Sequence, residues 1–281
     1  MKILCTSPKL IAGILGIQPI FSDHPTDKRC FASFLSDDRN LLENARIYEA
    51  PNDAMGGFEL AILEDHASSS QLVRLREWSG ASVVTIALKG DGFIGQGAHT
   101  WCALDGNLHW CAAIPVQIPI ERAQVLQRIP AVILWKILYE ELQQDINCHI
   151  KPPNDIVIFL PKPHKIAGCL TELAANSHAI TMVRFGIGLN TLDAPDNAQL
   201  DHLPAACCVP YLRNAIGQWK RPFLDELCTN SIAALYYRRI VYQLSKGIIT
   251  HIRAFEANPY DETINELYDA RCCPILIENK H

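Results

Sequence analysis

Forty residues, from Lys151 to Asn190, hold most of the side chains in this chain that could do chemistry. They read KPPND, IVIF, HKIAG and VRFGIGLN. Two lysines (Lys151 and Lys165), an Asn154–Asp155 pair and glycines at Gly168, Gly186 and Gly188 are set on apolar runs. A lysine beside such oxygens can hold a phosphate, and Asp155 can help hold Mg2+. Lys165 is followed at once by an apolar run, so its stem lies along the core while its amine faces a cleft. An ammonium there stabilises charge that develops in acyl transfer. Two glycines in one strand weaken it unless another group approaches closely, and Asn190 behind them offers an amide to a base or ribose. The set suits activation of a carboxylate by a nucleotide. Taken singly, each piece also fits an ordinary role: a polar turn at Pro152-Pro153-Asn154-Asp155, a snorkelling surface lysine, a β-bulge with a turn asparagine.

A second stretch, GDGFIGQGAHTW, has glycines at Gly90, Gly92, Gly95 and Gly97 after a strand-like run, which could turn backbone N–H groups toward an anion. Its spacing is neither G-x-G-x-x-G before a helix nor G-x-x-x-x-G-K-[ST], so Rossmann and P-loop readings fail. No H-E-x-x-H and no G-x-S-x-G occurs, which leaves zinc-protease and serine-hydrolase chemistry without support. His99 and His109 flank Trp101 and are expected on loop and strand surfaces. The cysteine count is 11, odd and without C-x-x-C, so neither a disulfide framework nor a zinc site is indicated. Reduced thiols in a reducing, cytoplasmic compartment are expected, with Cys102, Cys111 and Cys169 as small core residues.

Stepping outward, the elements that must carry these residues alternate. FELAILED and SVVTIAL read as strands, Ser68 to Trp78 as a helix capped by serines, and NLHWCAAIPV as a strand. Ile120 to Gln144 has apolar residues at helical spacing, INCHIK and DIVIF are strands, and HKIAGCLTEL with ITMVRFGIGL forms a hairpin or meander. Leu224 to Leu244 reads as a helix ended by Lys246-Gly247, followed by a strand-like IITHIRAF, a helical DETINELYDA and a short apolar CCPILI. Strands close in sequence without crossover helices favour the α+β class, a mixed β-sheet packed against helices, over a parallel Rossmann sheet.

The division expected is an N-terminal extension (1–57), a main domain (58–247) and a short C-terminal element (248–281). In the extension, Leu10 to Ile17 reads as a buried strand or helix, and a helix is expected near Asp37 to Tyr48. At 281 residues, 49% apolar and 20% charged, the chain can bury a substantial core. A net charge of −5 argues against broad nucleic-acid binding. Residues 1–55 carry six Lys/Arg against seven Asp/Glu, so no basic DNA-reading helix is visible. No apolar run is long enough to span a bilayer, and a soluble protein is expected.

In order and spacing, these segments resemble the catalytic domain of the biotin–protein ligases, within the wider biotin/lipoate ligase family. KPPND resembles that family's K-W-P-N-D, HKIAG its [RK]-K-[LIV]-[AG]-G, GIGLN its G-[IA]-G-[IL]-N, and WCALDGNLHWC its W-x-S-P-x-G-N-L-x-x-S. SSSQ at Ser68 to Gln71 stands where the family has S-T-N before a helix. The resemblance implies formation of biotinyl-5′-AMP from biotin and ATP, then transfer to a lysine of a biotin carboxyl carrier domain. It implies that Lys165 touches the biotin carboxyl and α-phosphate, and that Lys151, Asn154 and Asp155 organise phosphates and Mg2+. It sets Asn190 near the nucleotide, and Ser68, Ser69 and Ser70 near the biotin ureido group, with Gly95, Gln96, Trp101 and Gly168 also lining the biotin site. The chain departs from the pattern in three ways. The glycine loop lacks arginine, with Gln96 or Phe93 at the key position according to which end is aligned; Pro152 replaces a tryptophan; and three extra residues lie near Pro161-Lys162-Pro163. A lipoate or octanoate ligase or transferase of the same fold would usually carry R-R-x-[ST]-G-G-G-A before the G-N-L strand, which is absent. A catalytically degenerate ligand-binding or scaffold member is the other alternative, and a biotin-responsive repressor fits the acidic N-terminal part poorly.

Overall fold

The structure is a computed structural model that describes residues 1–18, 20–22, 31, 34, 44–97, 99–143, 145–196, 203–212, 225, 227 and 232–273. One ten-stranded mixed sheet organises it, in the order β2-β3-β1-β4-β5-β8-β12-β11-β10-β9. The N-terminal strands are β1 (Lys2–Cys5), β2 (Ile20–Ser22) and β3 (Arg46–Glu49), followed by β4 (Leu60–Ala67) and β5 (Val83–Gly90). The rest are β8 (Leu108–Pro119), β9 (Cys148–Lys151), β10 (Asp155–Phe159), β11 (Pro163–Ala175) and β12 (Ala179–Leu189). β4 pairs in parallel with both β1 and β5, while the other neighbours run antiparallel. A small hairpin, β6 (Phe93–Ile94) with β7 (Thr100–Trp101), stands apart from the sheet. The α+β reading is borne out.

Strand alternation divides the core in two. Val84, Ile86, Trp110, Ala112, Ile114, Val183, Phe185 and Ile187 face the helical layer. That layer comprises α1 (Pro8–Leu15), the helix Ala123–Glu141 (α3), the helix Ile232–Ala257 (α4) and the helix Thr263–Arg271 (α5). Residues 68–78, which contain the short helix α2 (Gln71–Arg74) and a 3-10 turn (Leu75–Glu77), cover the other face with Leu72, Leu75 and Trp78. Arg184 pins this cover by donating to the carbonyls of Leu75, Arg76 and Trp78, and Arg76 ties it to Glu172 of β11.

Several local expectations are corrected. Arg46 to Tyr48 lie in a strand, not in the helix expected over Asp37 to Tyr48; residues 35–43 fall outside the described ones. β1 and β3 belong to the main sheet, so the extension is built onto it edge to edge. The helix expected to stop at Gly247 runs to Ala257, because Leu244, Ile248, Ile252 and Phe255 continue one buried stripe. Gly247 sits inside it, where a Cβ would lie 2.8 Å from Ile133 Cγ2. IITHIRAF is therefore helical, and the expected domain boundary at residue 247 falls within a helix. The expected end of the 120–144 helix at Gln144, and the CCPILI segment beyond Cys273, also fall outside the described residues. None of the described helices is long and apolar enough to cross a membrane.

Candidate functional site

On the face away from the main helices, the register aligns one row of residues across seven strands. Glu64 pairs with Ala87, Ala87 with His109, His109 with Gly188, Gly188 with Gly168, Gly168 with Asp155, and Asp155 with Lys151. Directly opposed residues share a face, and neighbouring strands lie ~4.8 Å apart. The middle of the row is small, so it forms a trough with a polar group toward each end.

At the cationic end, Lys165 Nζ lies 2.7 Å from Asp155 Oδ1, and Lys151 Nζ lies 3.1 Å from Asp155 Oδ2. One carboxylate is shared by two ammonium groups, which leaves a surplus positive charge. Both lysine side chains stay about a third exposed or less (32% and 27%), and Asp155 is 13% exposed, so the surplus faces the cleft from a partly desolvated site. Gly168 leaves room beside this pairing: a Cβ there would stand 3.2 Å from Lys165 Nζ. Backbone bonds from Lys165 N to Pro204 O and from Ala206 N to Lys165 O fix the lysine's strand. Asn154 holds the turn against β11 by donating from Nδ2 to Cys169 O.

Trp101 of the glycine hairpin lies over the middle of the row. A Cβ on Gly188 would fall 2.3 Å from Trp101 Cε2, so the indole requires glycine there. The Lys165 ammonium sits 5.6 Å from the Trp101 ring centroid, within cation–π range. The buried Trp101 Nε1 has no hydrogen-bond partner among the described residues. The glycines of GIGLN thus serve neighbouring side chains, with Leu72 against Gly186 and Trp101 against Gly188.

The opposite end is buried. Glu64 Oε2 accepts from Arg74 Nη2 and from Gln71 Nε2, each at 2.6 Å, and all three residues are nearly inaccessible. Arg74 also stacks over Phe34 at 4.3 Å. His109 is 1% exposed, not on a strand surface as expected; Phe93 covers it at a ring separation of 5.1 Å. Burial lowers its pKa to about 4, so the imidazole is neutral at pH 7. Cys102 is exposed, against expectation, whereas Cys111 and Cys169 are core residues; burial pushes the Cys111 thiol up to about 12.

The remaining expected residues divide. Ser70 is buried at the start of α2, Ser69 half-buried and Ser68 exposed, and the Ser70 hydroxyl at the N-cap makes no capping hydrogen bond. Gly95 closes the β6–β7 hairpin through its N–H to His99 O, and Gln96 is exposed at the tip. Neither position aligned with the family's arginine supplies a cation: Gln96 is at the tip, and Phe93 is packed on His109. Asn190 is 2% exposed, and its amide is engaged internally. It donates to Ala206 O and accepts from Asn107, which in turn holds the 192–193 turn. This is a buried knot beneath the site, which uses one Asn190 amide N–H and one lone pair of its oxygen. Each oxygen of Asp155 already faces an ammonium, so a Mg2+ held there would share the carboxylate with both lysines. Among the described residues no cluster of three His, Cys, Asp or Glu could hold a metal. Sequence reasoning missed Glu64, Gln71, Arg74 and Arg184; a Glu–Arg pair on otherwise apolar segments was the available signal for the first and third.

The chain is similar to several known proteins. The sequence profile of the biotin/lipoate A/B protein ligase family matches residues 66–190. The bifunctional ligase/repressor BirA of Bacillus subtilis is 31% identical over 104 residues, a match covering 37% of this chain and 30% of that protein's length. The biotin protein ligase of Leishmania major, in complex with biotin, superposes with a TM-score of 0.51 at 18% identity, covering 76% of this chain and 82% of that one. That of Aquifex aeolicus, with biotin and ATP, gives a TM-score of 0.51 at 17% identity, covering 76% and 79%. The matches bear out the family resemblance and, in the solved structures, the fold.

Proposed function

We propose, on the premise that residues 66–190 match the biotin/lipoate protein ligase family, that this chain is an ATP-dependent biotin–protein ligase. The observation that carries the proposal is the pair of lysines sharing Asp155 at one end of a glycine-floored trough. A surplus ammonium charge suits two anions meeting, a carboxylate and an α-phosphate, and stabilises the charge that builds between them. A carboxylate oxygen of biotin attacks the α-phosphorus of ATP, the bond to the β-phosphate oxygen breaks, and pyrophosphate leaves. The amine of a lysine on a biotin carboxyl carrier domain then attacks the acyl carbon and AMP leaves. Lys165 touches the reacting groups in both steps, Lys151 holds phosphate, and Asp155 orients both lysines. Trp101 and the glycine hairpin cover the mixed anhydride and exclude water. Mg2+ would be held by the ATP phosphates with Asp155 beside them and would neutralise phosphate charge; no step is routed through it.

Biotin is favoured over lipoate or octanoate by the far end of the trough, whose buried polar groups match a head group rich in hydrogen-bonding atoms better than an alkyl or dithiolane end. The test is to incubate the protein with ATP, a carrier domain and biotin, lipoate or octanoate, then read acceptor mass and pyrophosphate. An adduct with biotin is expected. Pyrophosphate and adduct with octanoate or lipoate alone would move the assignment to the other branch of the family. Neither product with any acid would leave a ligand-binding member without catalysis.

A further inference from the structure

Two buried acceptors near the far end of the trough have no partner among the described residues: His109 Nε2 and Gln71 Oε1. Their chemical identities are set by their neighbours. His109 Nδ1 lies 3.2 Å from Ala87 O, which requires the proton on Nδ1 and leaves Nε2 as a lone-pair acceptor. Gln71 directs its NH2 to the Glu64 carboxylate at 2.6 Å, and flipping the amide would set oxygen against oxygen. Gln71 Oε1 is therefore an acceptor as well. A neutral acceptor pair left unmatched in a nearly dry site costs stability, and a ligand bringing N–H donors would relieve that cost.

The row places these groups relative to the cationic end. His109 is separated from Gly168 by two strand steps, roughly 10 Å, and Lys165 Nζ hangs over Gly168. A carboxylic acid whose N–H-bearing ring is separated from its carboxyl by a short alkyl chain spans that interval. We propose that His109 is the residue that selects the acid, accepting a hydrogen bond from a ring N–H of the head group, with Gln71 as its companion acceptor and Phe93 displaced to admit the ring. Phe93 lies against Ala67, Ala87 and His109, so it fills the space a ring would take. It lies in β6, with Gly92 before the strand and Gly97 in the hairpin turn, both at positive φ with open space around the Cβ direction. The inference rests on the ligase reading for the orientation of the acid, and not for the chemistry of the acceptors.

The experiment is a binding and turnover comparison of biotin, its two ring N-methyl derivatives and octanoate on wild type, His109→Leu and His109→Gln. Binding is read by calorimetry without ATP, and folding by circular dichroism. Wild type should bind at least one N-methyl derivative 10- to 100-fold more weakly than biotin. His109→Leu should lose about tenfold in biotin affinity and respond to methylation by less than threefold. His109→Gln, which can still present an acceptor, should recover part of the preference. A structural role alone would lower affinity for every acid alike and leave the methylation ratio intact. If His109→Leu does not fold, His109→Met, which fills the space without an acceptor of comparable strength, takes its place, and an intact methylation ratio in it overturns the proposal. Methylation-sensitive binding without turnover would defeat the ligase reading and leave the assignment of His109 standing. Turnover with an unchanged ratio would do the reverse, and binding of none of these acids would overturn both.

Discussion

Replacing Asp155 by Asn keeps the shape and removes the charge that Lys151 and Lys165 share. The contacts at stake are 2.7 Å and 3.1 Å long, between side chains that are 13%, 32% and 27% exposed. A hydrogen bond to a charged group contributes about 1.5–3 kcal/mol. Discounting for the partial exposure of both lysines, the two together are worth roughly 2–4 kcal/mol. Stability should fall by that order, and both ammonium groups should turn toward solvent. The kinetic effect should be larger, because a reacting cation displaced by ~1 Å costs on the order of 100-fold. Biotin-dependent exchange of labelled pyrophosphate into ATP should therefore drop about 100-fold in Asp155→Asn. Adding this change to Lys165→Ala should cost little more, since the carboxylate acts through that lysine. Exchange within threefold of wild type in Asp155→Asn, alongside an inactive Lys165→Ala, would refute the claim that Asp155 orients the cation. Full additivity in the double variant would refute it equally.

Gly188→Ala puts a methyl 2.3 Å from the Trp101 indole, so the glycine hairpin must lift; a destabilisation of about 1–3 kcal/mol and faster escape of the activated acid are expected, read by thermal melting and an adenylate-trapping assay. Glu64→Gln removes the buried negative charge that faces Arg74 Nη2 at 2.6 Å and should lower stability by about 3 kcal/mol, read as a fall in Tm by calorimetry. His109 titrates near 6.5 when unfolded and about 4 when folded, so its contribution is intact above the first value, falls as pH drops between the two, and is level below the second. That slope corresponds to roughly 3 kcal/mol at most, and chemical denaturation from pH 7 to 4 should show it flattened in His109→Leu.

Much of the site was legible because its residues are consecutive. KPPND is the turn from β9 into β10, and HKIAG lies in β11 beside β10, so local spacing already brings Lys151, Asp155 and Lys165 together. The row that joins them to His109 and Glu64 was not legible, because it depends on pairing between strands such as those of His109 and Gly188, far apart in the chain. The setting of Asn190 was hidden for a related reason. A polar residue after a glycine pair looks available for a ligand until Asn107, 83 residues away, is found to hold it. The continuation of the long C-terminal helix through Gly247 was hidden by a residue that usually ends helices, and only the packing against Ile133 accounts for a glycine there.

The central claim is that Lys165, steadied by Asp155, activates a carboxylate on the α-phosphate of ATP. The most direct measurement is a single-turnover incubation with α-labelled ATP and biotin, without acceptor, followed by chromatography of the quenched mixture. The account predicts an acyl-adenylate at close to one equivalent of enzyme in wild type and none in Lys165→Ala, with both proteins equally folded. Acyl-adenylate formed at the wild-type rate by Lys165→Ala would contradict it.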